Sequence, residues 1–259
     1  MTENNYDIGI IGAGPAGYTA ALHAAANGQK VIIFEKNEIG GVCLNKGCIP
    51  TKSILHAAQE YKKALNFCEL GINIDNMSID YSKVVERKNK IVERLKKGLE
   101  LAFKNAKITV IKSEANILSS NQIQSNGEIY ECKKIICAIG SSPKIIKGLE
   151  FDHKFLLSSD DILELDKLPQ SILIIGSGAI GIEWARIFSD FGVETTIVEL
   201  AQNLIPLADI EISKRIERIF KSNKIKYYTN CHVEKIEDHK VILSNKEEVN
   251  PDIILVATG

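Results

Sequence analysis

Residues 6–36 read YDIGIIGAGPAGYTAALHAAANGQKVIIFEK, and the fold is decided here. The apolar run Ile8 to Ile11 has the character of a buried strand and ends in Gly12, Gly14 and Gly17, spaced as G-x-G-x-x-G. An alanine-rich helix follows, opening at Pro15 and Ala16, and then a second strand, VIIF, that ends at Glu35 and Lys36. Strand, helix and strand in this order form a βαβ unit. The glycines have mechanical roles: the first permits the tight turn, the second lets backbone approach a pyrophosphate, and the third allows helix to pack on strand. The helix N-terminus offers unpaired N–H groups and the positive end of its dipole to phosphate. Glu35 stands where a carboxylate can accept hydrogen bonds from ribose hydroxyls.

Glycine turns after strands also serve packing, so one copy is a modest signal. A second copy lies at 171–200, SILIIGSGAIGIEWARIFSDFGVETTIVEL. Gly176, Gly178, Gly181 and Glu199 each follow their counterparts by 164 residues (176 − 12, 178 − 14, 181 − 17, 199 − 35). Four matched offsets make coincidence improbable. The predicted fold class is therefore α/β, with two tandem Rossmann-like βαβ nucleotide-binding domains of three layers. DKLPQS at 166–171 reads as a linker, and the boundary is expected near 150, giving domains 1–150 and 151–259. At the second site Glu199 favours a free ribose 2′-hydroxyl and repels a 2′-phosphate. The residues after it, LAQN, offer no arginine, so NAD is expected there rather than NADP.

Composition narrows the partners. A net charge of -1, from 32 basic against 33 acidic residues, gives no global field for nucleic acid or an anionic membrane, so small molecules are the expected ligands. The N-terminus lacks the basic and small-residue pattern of a signal peptide. No apolar run nears the roughly 18 residues of a membrane span. A cytoplasmic location is expected, and a mitochondrial matrix protein after loss of a transit peptide reads the same way. Six cysteines in 259 residues are too sparse for a secreted disulfide scaffold.

Between the repeats, IPTKSILHAAQEYKKAL and SKVVERKNKIVERLKKGLELAFKNA read as amphipathic helices, with the lysines and arginines of the second expected on a solvated face. SNGE at 125–128 is a hairpin signal. A helix from about 209 to 222, three strands and a buried terminal strand, PDIILVATG, complete the second half.

The segment GGVCLNKGCIP, residues 40–50, places Cys43 and Cys48 five positions apart. Zinc needs about four ligands, commonly in paired short spacings, and no second pair is present among the other cysteines and five histidines, so no metal is expected. A structural staple closing so short a loop gains least from the entropy of the unfolded chain. A dithiol/disulfide couple uses the spacing well. Gly40, Gly41 and Gly47 allow backbone and cofactor to approach closely. Joining thiols to nicotinamide requires a two-electron mediator, and a flavin can serve.

GGVCLNKGCIPTK closely resembles the redox-disulfide segment of the flavin disulfide reductases, most of all the dihydrolipoamide dehydrogenases. IGAGPAG resembles their FAD site, IGSGAIGIE their NAD site, and VATG their A-T-G turn, so the resemblance covers essentially the whole chain. It implies FAD held by Gly12, Gly14, Pro15, Ala16, Gly17, Glu35, Lys36, Gly41, Lys52, Ala138 and Gly140. It implies NAD held by Gly176, Gly178, Gly181, Glu199 and Gly259. Cys43 would be the interchange thiol and Cys48 its partner against the flavin. Lys52 matches the lysine near the flavin ring that pairs with a glutamate, here Glu183; without the resemblance they would read as an ordinary surface pair. The implied activity passes electrons from dihydrolipoyl thiols through a Cys43–Cys48 disulfide and FAD to NAD⁺. The implied partners are dihydrolipoamide or the lipoyl domains of 2-oxo acid dehydrogenase complexes, and a second subunit in a homodimer.

Two departures accompany the resemblance. The first A-T-G turn reads Ala138-Ile139-Gly140. The family also continues beyond the point matching Gly259 into a C-terminal interface domain with a His-Glu acid/base, so this chain is expected to be a truncated form without that domain. A non-catalytic module binding FAD and NAD, and another disulfide reductase of the same family, are the alternatives.

Overall fold

The computed structural model describes residues 4–258. The chain forms two compact units: residues up to 50 together with 89–142, and 51–88 together with those from 143 onward. The division at 142/143 lies close to the boundary expected near 150, and segment 51–88 packs with the second unit. The segment 51–88 belongs with the second half because its helices place their apolar stripe in that unit's core.

In the first unit, strand β1 (Asn5–Ile11) leads through a glycine turn to helix α1 (Pro15–Ala26) and strand β2 (Val31–Phe34). Pro15 suits the first helical position, where an N–H would have no partner, and Gly17, Ala21 and Ala24 form the buried stripe. A short helix α2 (Gly41–Asn45) carries the first cysteine, and helix α3 (Cys48–Leu65) begins at the second. After helix α4 (Tyr81–Asn105) come β3 (Thr109–Ile111), β4 (Asn116–Ile117), β5 (Gln122–Ser125) and β6 (Glu128–Cys137). The sheet order is β3-β2-β1-β6-β5-β4, parallel from β3 to β6 and antiparallel beyond. Asn126 and Gly127, both with positive φ, make the expected hairpin turn between β5 and β6. Alternate residues of β2 face opposite ways: Val31 and Ile33 pack with Ala21 and Phe103, while Ile32 and Phe34 pack with Ile123, Tyr130 and Cys132. That is the pattern of a parallel sheet covered on both sides.

The second unit repeats the plan. Its strands and helices are β7 (Leu156–Leu157), β8 (Ser171–Ile175), α5 (Ala179–Asp190), β9 (Glu194–Val198), α6 (Ile210–Ser222) and β10 (Lys226–Tyr228). They are followed by β11 (Val233–Glu237), β12 (Lys240–Leu243), β13 (Glu248–Val249) and β14 (Ile253–Val256). The parallel sheet runs β10-β9-β8-β14-β7, and β11-β12-β13 forms a separate antiparallel sheet. Ile172 and Ile174 enter a core with Trp184, Phe188, Phe220 and, from segment 51–88, Ile54, Ala58 and Tyr81. Leu173 and Ile175 enter the opposite core with Val241 and Leu243. Helices, parallel sheet and antiparallel sheet are the three layers expected. Burying side chains such as Phe188 and Phe220 stabilises the unit by about 1.5–3 kcal/mol each.

One cation of α4 departs from the solvated face expected for it. Lys88 is 1% exposed. Its ammonium donates to the Leu163 carbonyl and the Glu164 carboxylate, each at 2.8 Å, so the charge enters the unit with its partners.

Candidate functional site

The two glycine turns match bond for bond. Gly12 N–H donates to Phe34 O at 2.7 Å and Gly176 N–H to Val198 O at 2.8 Å, closing each turn onto the second strand. Ala138 N–H donates to Ile11 O at 2.8 Å, and Ala257 N–H to Ile175 O at 2.7 Å, so each alanine lies against a glycine turn. Gly12 and Gly176 both have φ of 100°, a backbone conformation that L side chains rarely adopt. A Cβ on Gly12 would lie 2.8 Å from the carbonyl carbon of Ala138, and one on Gly17 would lie 3.0 Å from that of Gly12. These glycines are demanded by the fold.

Gly14 and Gly178 are not. Their φ values, -72° and -65°, suit any residue. A Cβ at 14 would meet Gly41 Cα at 3.8 Å, an ordinary contact, and one at 178 would meet nothing within 4 Å. Both residues cap helices that have neither a side-chain cap nor an acidic residue in the first turn. Open space in front of an uncapped helix N-terminus, at the point where the strand order reverses, fits a dinucleotide pyrophosphate.

The two glutamates also correspond. Glu35 accepts from Ala13 N–H and Asn37 N–H, each at 2.8 Å. Glu199 accepts from Ser177 N–H at 2.7 Å and Ala201 N–H at 2.8 Å, and additionally from the Ser177 hydroxyl at 2.7 Å. Burial pushes the Glu199 carboxyl up, but bonds from Ala201 N–H, the Ser177 hydroxyl, and Ser177 and Leu200 N–H outweigh it and hold the group below its ordinary value. Both carboxylates are thus fixed by backbone donors at the mouth of a glycine turn. Sequence reasoning assigned them only to a ligand and missed that each ties down its own loop.

The cysteine segment is built onto the first turn. Gly40 N–H donates to Ala13 O at 2.9 Å, and a Cβ on Gly41 would lie 2.6 Å from Gly14 Cα, so glycine meets glycine. A Cβ on Gly47 would sit 3.1 Å from Val42 O and 3.3 Å from Cys43 Cα, which shows how closely the chain folds back between the cysteines. Cys43 is half-buried, and Cys48 is exposed at the start of α3. Cys132 makes the contrast: it is buried, and burial, followed by the nearby Glu131 charge, pushes its thiol up to about 11.

Lys52 lies one turn after Cys48 on α3 and forms an ion pair and hydrogen bond with Glu183 of α5. Lys36 pairs with Glu114 on the surface at 3.5 Å. Pro15, Ala16, Ile139 and Gly140 are exposed, and Gly259 lies outside the described residues. Among the described residues, no group of three or more His, Cys, Asp and Glu side chains could hold a metal ion, and no helix is long and apolar enough to cross a membrane.

The family described as pyridine nucleotide-disulphide oxidoreductase matches residues 6–259. A dihydrolipoyl dehydrogenase of Bacillus subtilis (strain 168) is 39% identical over 241 residues, 88% of this chain and 51% of that protein. One from Acholeplasma laidlawii is 36% identical over 265 residues, covering 99% of this chain and 79% of the relative. The HOCl-induced flavoprotein disulfide reductase RclA from Escherichia coli superposes with a TM-score of 0.82 at 29% identity, over 98% of this chain and 56% of the other. The crystal structure of LpdA from Mycobacterium tuberculosis gives a TM-score of 0.89 at 22% identity, covering 97% of this chain and 58% of that one, a likeness of fold. The chain spans 51% and 47% of the length of two of its curated relatives.

Proposed function

Because the chain belongs to the pyridine nucleotide-disulphide oxidoreductase family, we propose that it carries the dithiol and nucleotide-binding parts of a dihydrolipoyl dehydrogenase. The observation that carries the reading is the seating of the cysteine segment on the first glycine turn, Gly41 against Gly14. That contact supports a reading in which thiol chemistry takes place beside a dinucleotide. The proposed organisation is an FAD domain within residues 1–150 and an NAD domain within 151–259. FAD is assigned to Gly12, Gly14, Pro15, Ala16, Gly17, Glu35, Lys36, Gly41, Lys52, Ala138 and Gly140, and NAD to Gly176, Gly178, Gly181, Glu199 and Gly259.

In the proposed reaction, one thiolate of the substrate attacks Cys43 Sγ, breaks the Cys43–Cys48 bond and forms a mixed disulfide on Cys43. The second substrate thiol then displaces Cys43. A cyclic substrate disulfide leaves, and both cysteines are reduced with two electrons and two protons. Bound FAD would supply the two-electron relay by which Cys48 is reoxidised at the expense of NAD⁺. Glu35 and Glu199 are assigned to orienting riboses, the backbones of α1 and α5 to holding phosphates, and the Lys52–Glu183 pair, by the family resemblance, to tuning the flavin. The proposed substrate is dihydrolipoamide or a lipoyl domain of a 2-oxo acid dehydrogenase complex, with a homodimer as the working assembly. The proposed setting is the cytoplasm, a reducing compartment where a dithiol pair is catalytic rather than structural.

The test is NADH formation from dihydrolipoamide and NAD⁺ by FAD-reconstituted protein. Saturable turnover that falls at least about a thousandfold in Cys43→Ser supports the reading. Nucleotide binding without dithiol-dependent turnover would leave a non-catalytic binding module. The likeness to RclA favours a second reading, reduction of another disulfide. NADH oxidation that responds to a different disulfide and ignores lipoamide would select it.

A further inference from the structure

The residue between the first two glycines of each turn differs between the repeats: Ala13 in the first and Ser177 in the second, both 0% exposed. In the first repeat the chain returns to the glycine turn through a glycine, Gly40, at φ 97°, whose N–H donates to Ala13 O. In the second it returns through Ile205, at φ 49°. A β-branched residue seldom takes that conformation, so something must hold it. Ile205 N–H lies 3.2 Å from both the carbonyl oxygen and the hydroxyl of Ser177. The same hydroxyl donates to Glu199 Oε2 at 2.7 Å, as does the Ser177 N–H. One side chain therefore joins the glycine turn, the carboxylate and the loop that follows β9.

We propose that Ser177 is a positioning residue for nucleotide selection: it locks the Glu199 carboxylate and the left-handed turn at Ile205 in one arrangement, which recognises a dinucleotide with a free ribose 2′-hydroxyl. This rests on the reading of the second unit as an NAD site. A carboxylate already fixed by its neighbours loses little freedom when a hydroxyl donates to it. Its fixed negative charge opposes a 2′-phosphate at the same place. Without the hydroxyl, Glu199 keeps its backbone donors but loses the side-chain bond that ties Oε2 to Ser177 and, through the same hydroxyl oxygen, to Ile205 N–H, so hydroxyl recognition weakens while backbone contacts to phosphate persist. Alanine at the matching position 13 shows that the fold accommodates the smaller residue there.

The experiment is calorimetric titration with NAD⁺ and with NADP⁺ of the wild-type protein, Ser177→Ala, Glu199→Gln and the double variant, with circular dichroism to check folding. NAD⁺ affinity should fall about tenfold in Ser177→Ala, the scale of one hydrogen bond to a charged group. NADP⁺ affinity should hold or rise, so the preference narrows. In the Glu199→Gln background the same change should add less than about twofold, because the two residues act as one unit. An unchanged NAD⁺ affinity, equal weakening of both nucleotides, or a tenfold effect that persists without Glu199 would each overturn the proposal while leaving the NAD site standing. A wild-type protein that binds neither nucleotide would remove the NAD site and this role together. Should the alanine variant not fold, Ser177→Cys, close in size and a weaker donor, is held to the same narrowing.

Discussion

Replacing Gly178 and Gly176 by alanine, one at a time, separates what the fold requires from what a ligand requires. At 178 the φ of -65° suits alanine and an added Cβ meets nothing within 4 Å. Lower entropy in the unfolded chain favours alanine by about 0.4–1 kcal/mol, and the weaker helix cap opposes it by a similar amount. The net change in stability should stay within about 1 kcal/mol. At 176 the same methyl would lie 2.6 Å from Ala257 O, 2.9 Å from its carbonyl carbon and 3.1 Å from Thr258 Cα, on a backbone with φ of 100°. The left-handed conformation costs about 1–2 kcal/mol and the overpacking about 1–3 more. Taking about 3 kcal/mol in all, at about 2–4 °C per kcal/mol, the thermal midpoint should fall by about 6–12 °C. The assay is thermal unfolding by circular dichroism alongside NAD⁺ titration. Gly178→Ala should keep its midpoint and lose at least about tenfold in NAD⁺ affinity, equivalent to about 1.4 kcal/mol. A Gly178→Ala protein as unstable as Gly176→Ala, or one that binds NAD⁺ undiminished, would refute the division of roles.

Three other perturbations follow from the same geometry. Lys88→Met keeps the apolar stem but leaves the Leu163 carbonyl without its donor, and urea unfolding should show a loss of about 1–3 kcal/mol. Lys52→Ala breaks a pair whose side chains are 54% and 33% exposed, so the urea midpoint should shift by less than about 1 kcal/mol, and any large effect should appear in turnover instead. Glu199 has a folded pKa below its ordinary 4.5, so its contribution to stability is full above that value and is lost as pH falls through the folded pKa. Urea midpoints measured from neutral pH into the acid range should therefore decline less steeply for Glu199→Gln than for the wild type.

The duplication was legible in the sequence because glycines needed for close backbone contact cannot drift: the four offsets of 164 residues became matched turns, carbonyl contacts and carboxylate bonds. The Asn-Gly hairpin was legible for a similar reason, since positive φ at Asn126 and Gly127 restricts the residues that serve. The packing of 51–88 was not. An amphipathic pattern shows that a helix has an apolar face, but Ile54, Ala58 and Tyr81 carry no mark of which core they enter. Lys88 was hidden likewise, because its partners, Leu163 and Glu164, lie 75 and 76 residues away. Ser177 was within reach: laid over Ala13 by the same offset, it is a buried position inside the glycine turn where the second repeat gains a hydroxyl.

The most direct test of the central claim is the visible spectrum of the purified, FAD-reconstituted protein before and after anaerobic dihydrolipoamide. A bound-flavin band that gains long-wavelength absorbance with the dithiol, and fails to do so in Cys43→Ser, is the predicted result. A colourless protein that cannot be loaded with FAD, or a flavin indifferent to the dithiol, would contradict the account.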